Sequence, residues 1–222
     1  HMLKPFDIRV KATYDYLLCS VEFCNENNRK IKITRTAHKQ AIAKVKSYPI
    51  DWEVDKYDLT QMQFNGYEYG YNKSKITGED RLYYDRTKPV TKTMFYLGTM
   101  LETKRMTKPK AYILKRGFVD VEDRLRWNGV QMQELTQDST IQVISSRILS
   151  YETKKEPYEK HYLHYNTTTV ADTISWTFRK GDYLIPMGTN KDRFILETLE
   201  PEGPDSYFNW NFFDAILQQK EH

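Results

Sequence analysis

The residues best suited to chemistry in this sequence are a pair of histidines near its end. His161 and His164 are the only histidines that lie close to each other in the chain. On a β-strand, residues three positions apart point to opposite faces, so these two rings are expected to diverge. A zinc site also needs three or four ligands, and no partner motif lies near the pair. We therefore expect structural histidines and no metal ligand in this chain.

An acidic run offers a second candidate, in the stretch "VDVEDR". It contains three carboxylates, at Asp120, Glu122 and Asp123, and Arg124 and Arg126 follow them closely. Acid–base catalysis needs a carboxylate with a raised pKa, whereas acids next to arginines are common on exposed helices. The chain also has no glycine-rich phosphate loop, no Gly-x-Ser-x-Gly elbow and no His-Glu-x-x-His motif. On its own residues the sequence offers no catalytic constellation.

Three tyrosines are candidates for ligand contact. In "YEYGY", Tyr67, Tyr69 and Tyr71 alternate with other residues, which places them on one face of a β-strand. Such a row could stack against sugar rings and make the chain a carbohydrate- or glycan-binding module. Aromatic side chains also pack strands together, and this interpretation is favoured.

A basic segment at 29–46 could bind phosphate backbones, since it carries seven lysines and arginines and no acid. These charges are spread around the helix instead of forming one stripe, and the net charge of the chain is only +4. A solvated helix face therefore explains the segment, and we expect no nucleic-acid partner. No apolar run approaches the length of a membrane span.

The elements that carry these residues predict an α+β fold. Apolar periodicity predicts helices at 5–24 and 29–46, which would form an N-terminal helical hairpin joined by a loop. Short strands bounded by turn residues follow, interrupted by one short helix near 119–127. We expect a mostly antiparallel β-sandwich-like domain over residues 48–222, preceded by a helical segment at 1–47 that is the end of a larger core or a linker to it.

Two local predictions concern the last third of the chain. In "TISWTFRKGDYLIP" a glycine-containing turn separates two strand patterns, which predicts a β-hairpin. The stretch "RFILETLE" is interpreted as a further strand that leads into the final segment.

The final segment, "PEGPDSYFNWNFFDAIL", is rich in aromatic side chains. Phe208 and Phe212 are four positions apart, and Trp210 and Phe213 are three apart, as in a helical turn that buries one side. Polar residues interrupt the rings, which argues against a membrane contact. We interpret Phe208, Trp210, Phe212 and Phe213 as a structural plug of the core, for which Trp210→Ala would cost roughly 3–5 kcal/mol.

Several motifs of this sequence together resemble those of one protein family. "PYEKHYLHYN", "FRKGDYLIP" and "RFILETLEPEGPDSYFNWNFFDAILQQKE" resemble the C-terminal region of bacterial zinc carboxypeptidases of the carboxypeptidase A-like family. "GYEYG", "TKPKAYIL" and "LRWNGVQM" fit the large members of that family, so the resemblance covers most of the chain. The family binds zinc through a His-x-x-Glu motif and a later histidine. No histidine here is followed by glutamate at the third position, so neither a catalytic nor a zinc-binding residue carries over.

The resemblance implies a role beside an enzyme. The opening "HMLKPF" is similar to the segment that follows the family's catalytic glutamate, so the chain would begin just after that base. It would be a non-catalytic accessory domain that supports an upstream peptidase core in the same polypeptide or presents peptide substrate to it. Zinc would belong to that core, this chain alone would be inactive, and the protein would be periplasmic or secreted. An isolated chain would expose the first helix and self-associate through it.

Overall fold

The structure, a computed structural model that describes residues 5–218, begins with two consecutive helices. They are α1 (Phe6–Glu26) and α2 (Asn28–Lys44), and only Asn27 separates them, where a loop was predicted at 25–28. The amide of Asn27 donates to the carbonyl of Phe23, and the amide of Ile31 donates to the carbonyl of Asn27, both at 3.0 Å. Helical hydrogen bonding thus continues through the junction. Across the described residues, no helix is long and apolar enough to cross a membrane.

A mostly antiparallel β region follows the helices, which confirms the predicted α+β class. Its strands are β1 (Ser47–Val54), β2 (Thr60–Lys73), β3 (Asp80–Tyr96), β4 (Met100–Thr107), β5 (Ala111–Leu114), β6 (Gln133–Glu134), β7 (Ser139–Thr153), β8 (His164–Phe178) and β9 (Tyr183–Pro186). Within the described residues they form small sheets in the orders β1–β4, β2–β3, β5–β9–β6 and β7–β8. Helix α3 (Val119–Trp127) lies where a helix was predicted, and α4 (Asp192–Leu199) and a 3-10 helix (Asp214–Leu217) complete the chain.

The predicted hairpin across "RKGD" is wrong. Phe178, at the end of β8, pairs with Ser139 of β7, whereas Tyr183, at the start of β9, pairs with Leu114 of β5. Side chains hold the connecting turn in place, because the amide of Lys180 donates to the carboxylate of Asp138 at 2.9 Å. The chain therefore changes sheets at this turn.

The predicted strand over "RFILETLE" is also wrong, because these residues form α4. The buried residues of this helix are Asp192, Ile195, Leu196 and Thr198, which recur at helical spacing. Ile195 belongs to the larger hydrophobic cluster and Leu196 to the smaller one, so the helix packs against both. Tertiary packing thus overrides the strand propensity of the phenylalanine and isoleucine.

The chain forms two compact units, each discontinuous in sequence. The first unit contains the residues up to Thr34 together with Val54–Leu101, and the second contains Arg35–Glu53 together with the residues from Glu102 onward. The predicted division into 1–47 and 48–222 concerns the natural domain organisation and stays a prediction.

The first unit has little interior. Its β2–β3 hairpin is long and antiparallel, with an irregular register between Tyr67 and Glu68. The ring of Tyr83 covers Gly70 so closely that a Cβ there would lie 2.8 Å from it. Among the described residues of this unit none is fully buried, so it has no hydrophobic core of its own.

The second unit contains the hydrophobic core, in two clusters. The larger joins the three-stranded sheet to α3, α4 and the C-terminal segment through Leu114, Val121, Leu125, Val130, Ile185, Ile195 and Tyr207. The smaller joins β1 to α4 through Tyr48, Ile50 and Leu196. Because α4 contributes to both clusters, its placement determines how the rest of the unit packs.

A buried ion pair positions α4. The carboxylate of Asp192, which is fully buried, accepts a hydrogen bond from Lys108 Nζ at 2.8 Å and from the amides of Gly188 and Thr189 at 2.9 and 2.7 Å. Lys108 Nζ also donates to the carbonyl of Ala43 near the end of α2 at 2.9 Å. One carboxylate therefore connects α4, the turn before it and the segment after β4.

Replacing Asp192 should strongly destabilise the fold. In Asp192→Ala the Lys108 ammonium and two backbone amides lose their hydrogen-bond partner while they stay buried. We therefore expect the free energy of unfolding to fall by about 3–5 kcal/mol. The matched control is Asp172→Ala, which removes an exposed ion pair to Arg147 and should cost less than about 1 kcal/mol. Urea denaturation measures both, and equal losses would contradict the central role of Asp192.

Candidate functional site

The aromatic C-terminal segment lies against the core of the second unit, with its rings buried to different degrees. Phe208 is 2% exposed, whereas Trp210, Phe212 and Phe213 are half-buried. Tyr207, which the sequence did not single out, is a member of the larger cluster. Residues 207–213, where a helical turn was predicted, form successive turns, and the 3-10 helix Asp214–Leu217 follows them.

Ring contacts connect this segment to the surrounding elements. Phe208 packs on Tyr151 and His164, with ring centroids 5.6 and 5.2 Å apart. Phe213 packs edge-on against Phe118 at 4.8 Å, at the start of α3. Trp210 lies further out, 5.7 Å from the ring of His161. Phe208 therefore takes the central position that the sequence had given to Trp210.

A buried asparagine fixes the path of the segment. The side chain of Asn209 accepts a hydrogen bond from the hydroxyl of Thr167 at 2.6 Å and donates to the carbonyl of Gly203 at 2.7 Å. The backbone amide of Asn209 donates to Ser206 Oγ at 3.1 Å, and its backbone carbonyl accepts from the amide of His164 at 2.8 Å. The sequence signal for this role was a polar residue placed between aromatic ones.

Two glutamates in "LEPEGP" anchor the start of the segment. Tyr112 donates to Glu200 at 2.5 Å, and burial raises the pKa of both groups, with the neighbouring charge adding to the rise for Tyr112. Glu202 pairs with Lys104 and accepts two hydrogen bonds from Thr169. Burial alone would raise the pKa of Glu202, but these partners outweigh it and lower the pKa. Both glutamates thus hold the start of the segment against neighbouring strands through hydrogen bonds and an ion pair.

The histidine pair does not form a metal site. Nδ1 of His164 lies 2.9 Å from Thr153 Oγ1, and its Nε2 lies 3.1 Å from a carboxylate oxygen of Asp214. His161 faces the rings of Trp210 and Phe212 instead. Within residues 5–218 no three His, Cys, Asp or Glu side chains are grouped so that they could hold a metal ion. The described residues therefore offer no zinc centre.

Two acids of α3 have separate partners. Asp120 lies 3.4 Å from Arg124 one turn later, and Glu122 accepts a hydrogen bond from the amide of Gly117 at 3.2 Å. Both carboxylates lie in the first turn of α3, where they stabilise the positive end of the helix dipole.

The tyrosine face of β2 is exposed, so the favoured expectation of core packing is wrong. Tyr67, Tyr69 and Tyr71 are 45%, 62% and 62% exposed. The rings of Tyr69 and Tyr71 meet edge-on, with centroids 6.2 Å apart. On the paired strand Tyr84 lies opposite Tyr69 and extends the same face. A two-stranded sheet in a unit without a core leaves such rings in solvent.

Comparisons with protein-family models, with curated proteins and with solved structures found no match for this chain. The resemblance to carboxypeptidase C-terminal regions therefore rests on the motifs alone. The structure assigns packing contacts to Glu200, Glu202, Phe208 and Asn209, which belong to the longest of those motifs.

Truncating the central ring should cost more than truncating the outer one. We expect Phe208→Ala to lower the free energy of unfolding by roughly 3–5 kcal/mol, because it empties a fully buried site. Trp210→Ala should cost clearly less, because the side chain of Trp210 is only partly buried. Denaturant titration of both variants makes the comparison. A larger loss of unfolding free energy for Trp210→Ala than for Phe208→Ala would contradict the central role of Phe208.

Proposed function

We propose that this chain is a non-catalytic C-terminal accessory domain of a zinc carboxypeptidase-like protein, which supports the peptidase core or helps to present substrate to it. Two observations support the proposal. The C-terminal motifs resemble those of the family, and the first unit exposes an apolar helix that has no core to cover it.

The observation that carries the proposal is the apolar stripe of α1. Phe6, Val10, Tyr14, Leu17 and Val21 recur at three- and four-residue steps, and each is more than half exposed. With 100° per residue they occupy about 80° of the helix surface. A stripe of this kind normally faces a core. Each such side chain contributes about 1.5–3 kcal/mol when it is fully removed from water.

The composition of α1 favours a protein surface as its partner. Between Phe6 and Glu26 the helix carries four acidic and only two basic side chains. Helices that lie on membranes are rich in lysine and arginine on their polar face. The stripe therefore suits docking onto an upstream peptidase core in the same polypeptide.

In this arrangement the chemistry belongs to the core. A zinc ion held there would activate water and polarise the peptide carbonyl of the substrate. The residues of this chain contribute a folded support, and the family resemblance further implies a periplasmic or secreted protein.

An isolated chain should self-associate through the α1 stripe. We expect sedimentation velocity to show oligomers that grow with concentration, and Leu17→Lys/Val21→Lys should restore a monomer, because it places two charges in the apolar contact. The matched control, Ala12→Lys/Cys19→Lys, adds the same charge on the opposite side of the helix and should behave like the parent chain.

Two results would contradict docking through the stripe. One is a parent chain that stays monomeric at every concentration. The other is a control variant that dissociates as fully as Leu17→Lys/Val21→Lys.

A second candidate function is glycan binding by the tyrosine face of β2. The observation that favours it is the exposure of three aligned tyrosine rings. Flat aromatic rings in solvent suit contact with the apolar faces of sugar rings.

This alternative predicts saturable binding of an oligosaccharide in a glycan array and in a tyrosine fluorescence titration. Tyr69→Ala/Tyr71→Ala should abolish the binding, because it removes two of the three rings. Tyr57→Ala is the matched control, since Tyr57 is 95% exposed and lies outside β2. Absence of binding in both measurements would discard the alternative.

A further inference from the structure

A basic cavity in the second unit has no part in the proposed function. It lies between the turn after β5, the end of β8 and the turn before β9, and its volume is about 770 Å³. Its lining includes the cations of Lys115, Arg116, Arg179 and Lys180. Cavities of this size suit small ligands, and four cations from two turns suit an anion.

A buried carboxylate holds the two turns together. Asp182 is 4% exposed, and its carboxylate accepts hydrogen bonds from the backbone amides of Arg116 at 3.0 Å and Arg179 at 2.9 Å. Gly181 has a φ of +93°, and a Cβ there would lie 2.9 Å from Arg116 Nη1. The guanidinium of Arg116 thus lies directly over a turn that only glycine accommodates without strain.

The charge of the cavity is only partly neutralised. Arg179 pairs with Asp138 at 2.6 Å. The backbone amide of Lys180 and the side chain of Arg179 hold the pKa of Asp138 below its usual value. Over residues 5–218, Lys115, Arg116 and Lys180 are in no ion pair. Among the described residues, three of the four cations therefore have no ion-pair partner. The carboxylate of Asp182 also lines the cavity, where it accepts hydrogen bonds from two backbone amides.

An aromatic side chain completes the lining. Lys115 Nζ lies 4.2 Å from the ring centroid of Trp176, whose side chain is 44% exposed. This cation–π contact holds the lysine at the rim without neutralising its charge. The hydroxyl side chains of Ser175 and Thr177 also line the cavity and supply neutral donors.

We propose that this cavity binds a small ligand through a phosphate or pyrophosphate group. A phosphate offers several acceptor oxygens and up to two charges, which matches the fork of Arg116 and the two lysine ammonium groups. The basic residues converge on one cavity and form no extended stripe, which favours a small molecule over a nucleic-acid strand. The proposal is independent of the role of α1.

The test is calorimetric titration of the whole chain with inorganic pyrophosphate and, separately, with adenosine diphosphate, at low and at high salt. We expect saturable binding that weakens with salt. Arg116→Gln and Lys180→Gln should each raise the dissociation constant about tenfold, as loss of a charge-assisted hydrogen bond does. The control Lys75→Gln/Arg86→Gln removes two exposed cations of the first unit and should change nothing.

The two probes distinguish the source of the phosphate. Equal affinity for the two probes would mean that the cavity recognises the pyrophosphate group alone. Tighter binding of adenosine diphosphate would identify a nucleoside diphosphate as the ligand class. Both results support the site. Absence of saturable binding to either probe would overturn the proposal. Equal weakening by the control would do so as well, because binding would then follow total charge. Lys180→Gln keeps the test decisive if Arg116→Gln fails to fold, because the Lys180 contact to Asp138 uses only its backbone amide.

Discussion

The second unit depends on the buried carboxylate of Asp192. Helix α4 supplies side chains to both hydrophobic clusters, and Asp192 fixes the beginning of that helix by binding Lys108 and two backbone amides. A buried charge is tolerated only when it is paired and hydrogen-bonded, so these partners must be in place together. Asp182 and Asn209 are likewise buried polar side chains that are satisfied by hydrogen bonds, and each of them binds the backbone of a turn. Loops in this unit are therefore ordered by single buried polar side chains.

The two units differ in how much of their interior is buried, and this difference underlies the functional proposal. The second unit has apolar clusters and an aromatic segment with buried Tyr207 and Phe208, whereas the first has none of its described residues fully buried. An apolar helix and a tyrosine-rich hairpin are costly to leave in water. A supporting role beside a larger core would cover the stripe of α1. The cationic cavity belongs to the second unit, so phosphate binding there does not depend on what covers the first.

Local sequence patterns predicted part of this structure. A short helix was predicted near 119–127, where α3 lies, and alternation placed Tyr67, Tyr69 and Tyr71 on one face of β2. The patterns failed where distant contacts decide the outcome. Ile195 and Leu196 lie in a helix whose beginning is held by contacts of Asp192 with Lys108 and two backbone amides. Phe178 and Tyr183 separate because Asp138 and Asp182 hold the turn between them. Exposure of Tyr67, Tyr69 and Tyr71 depends on the absence of a covering layer in their unit, which alternation cannot report.

The central claim is that α1 docks on a core that the same polypeptide provides. The most direct measurement is amide hydrogen exchange across Phe6–Glu26, compared between the isolated chain and the polypeptide translated from the complete reading frame. The account predicts fast exchange in the isolated chain at concentrations at which it is monomeric, and strong protection of α1 in the longer protein, because burial of its stripe suppresses local opening. Unchanged exchange of α1, or a reading frame that encodes no upstream core, would contradict it.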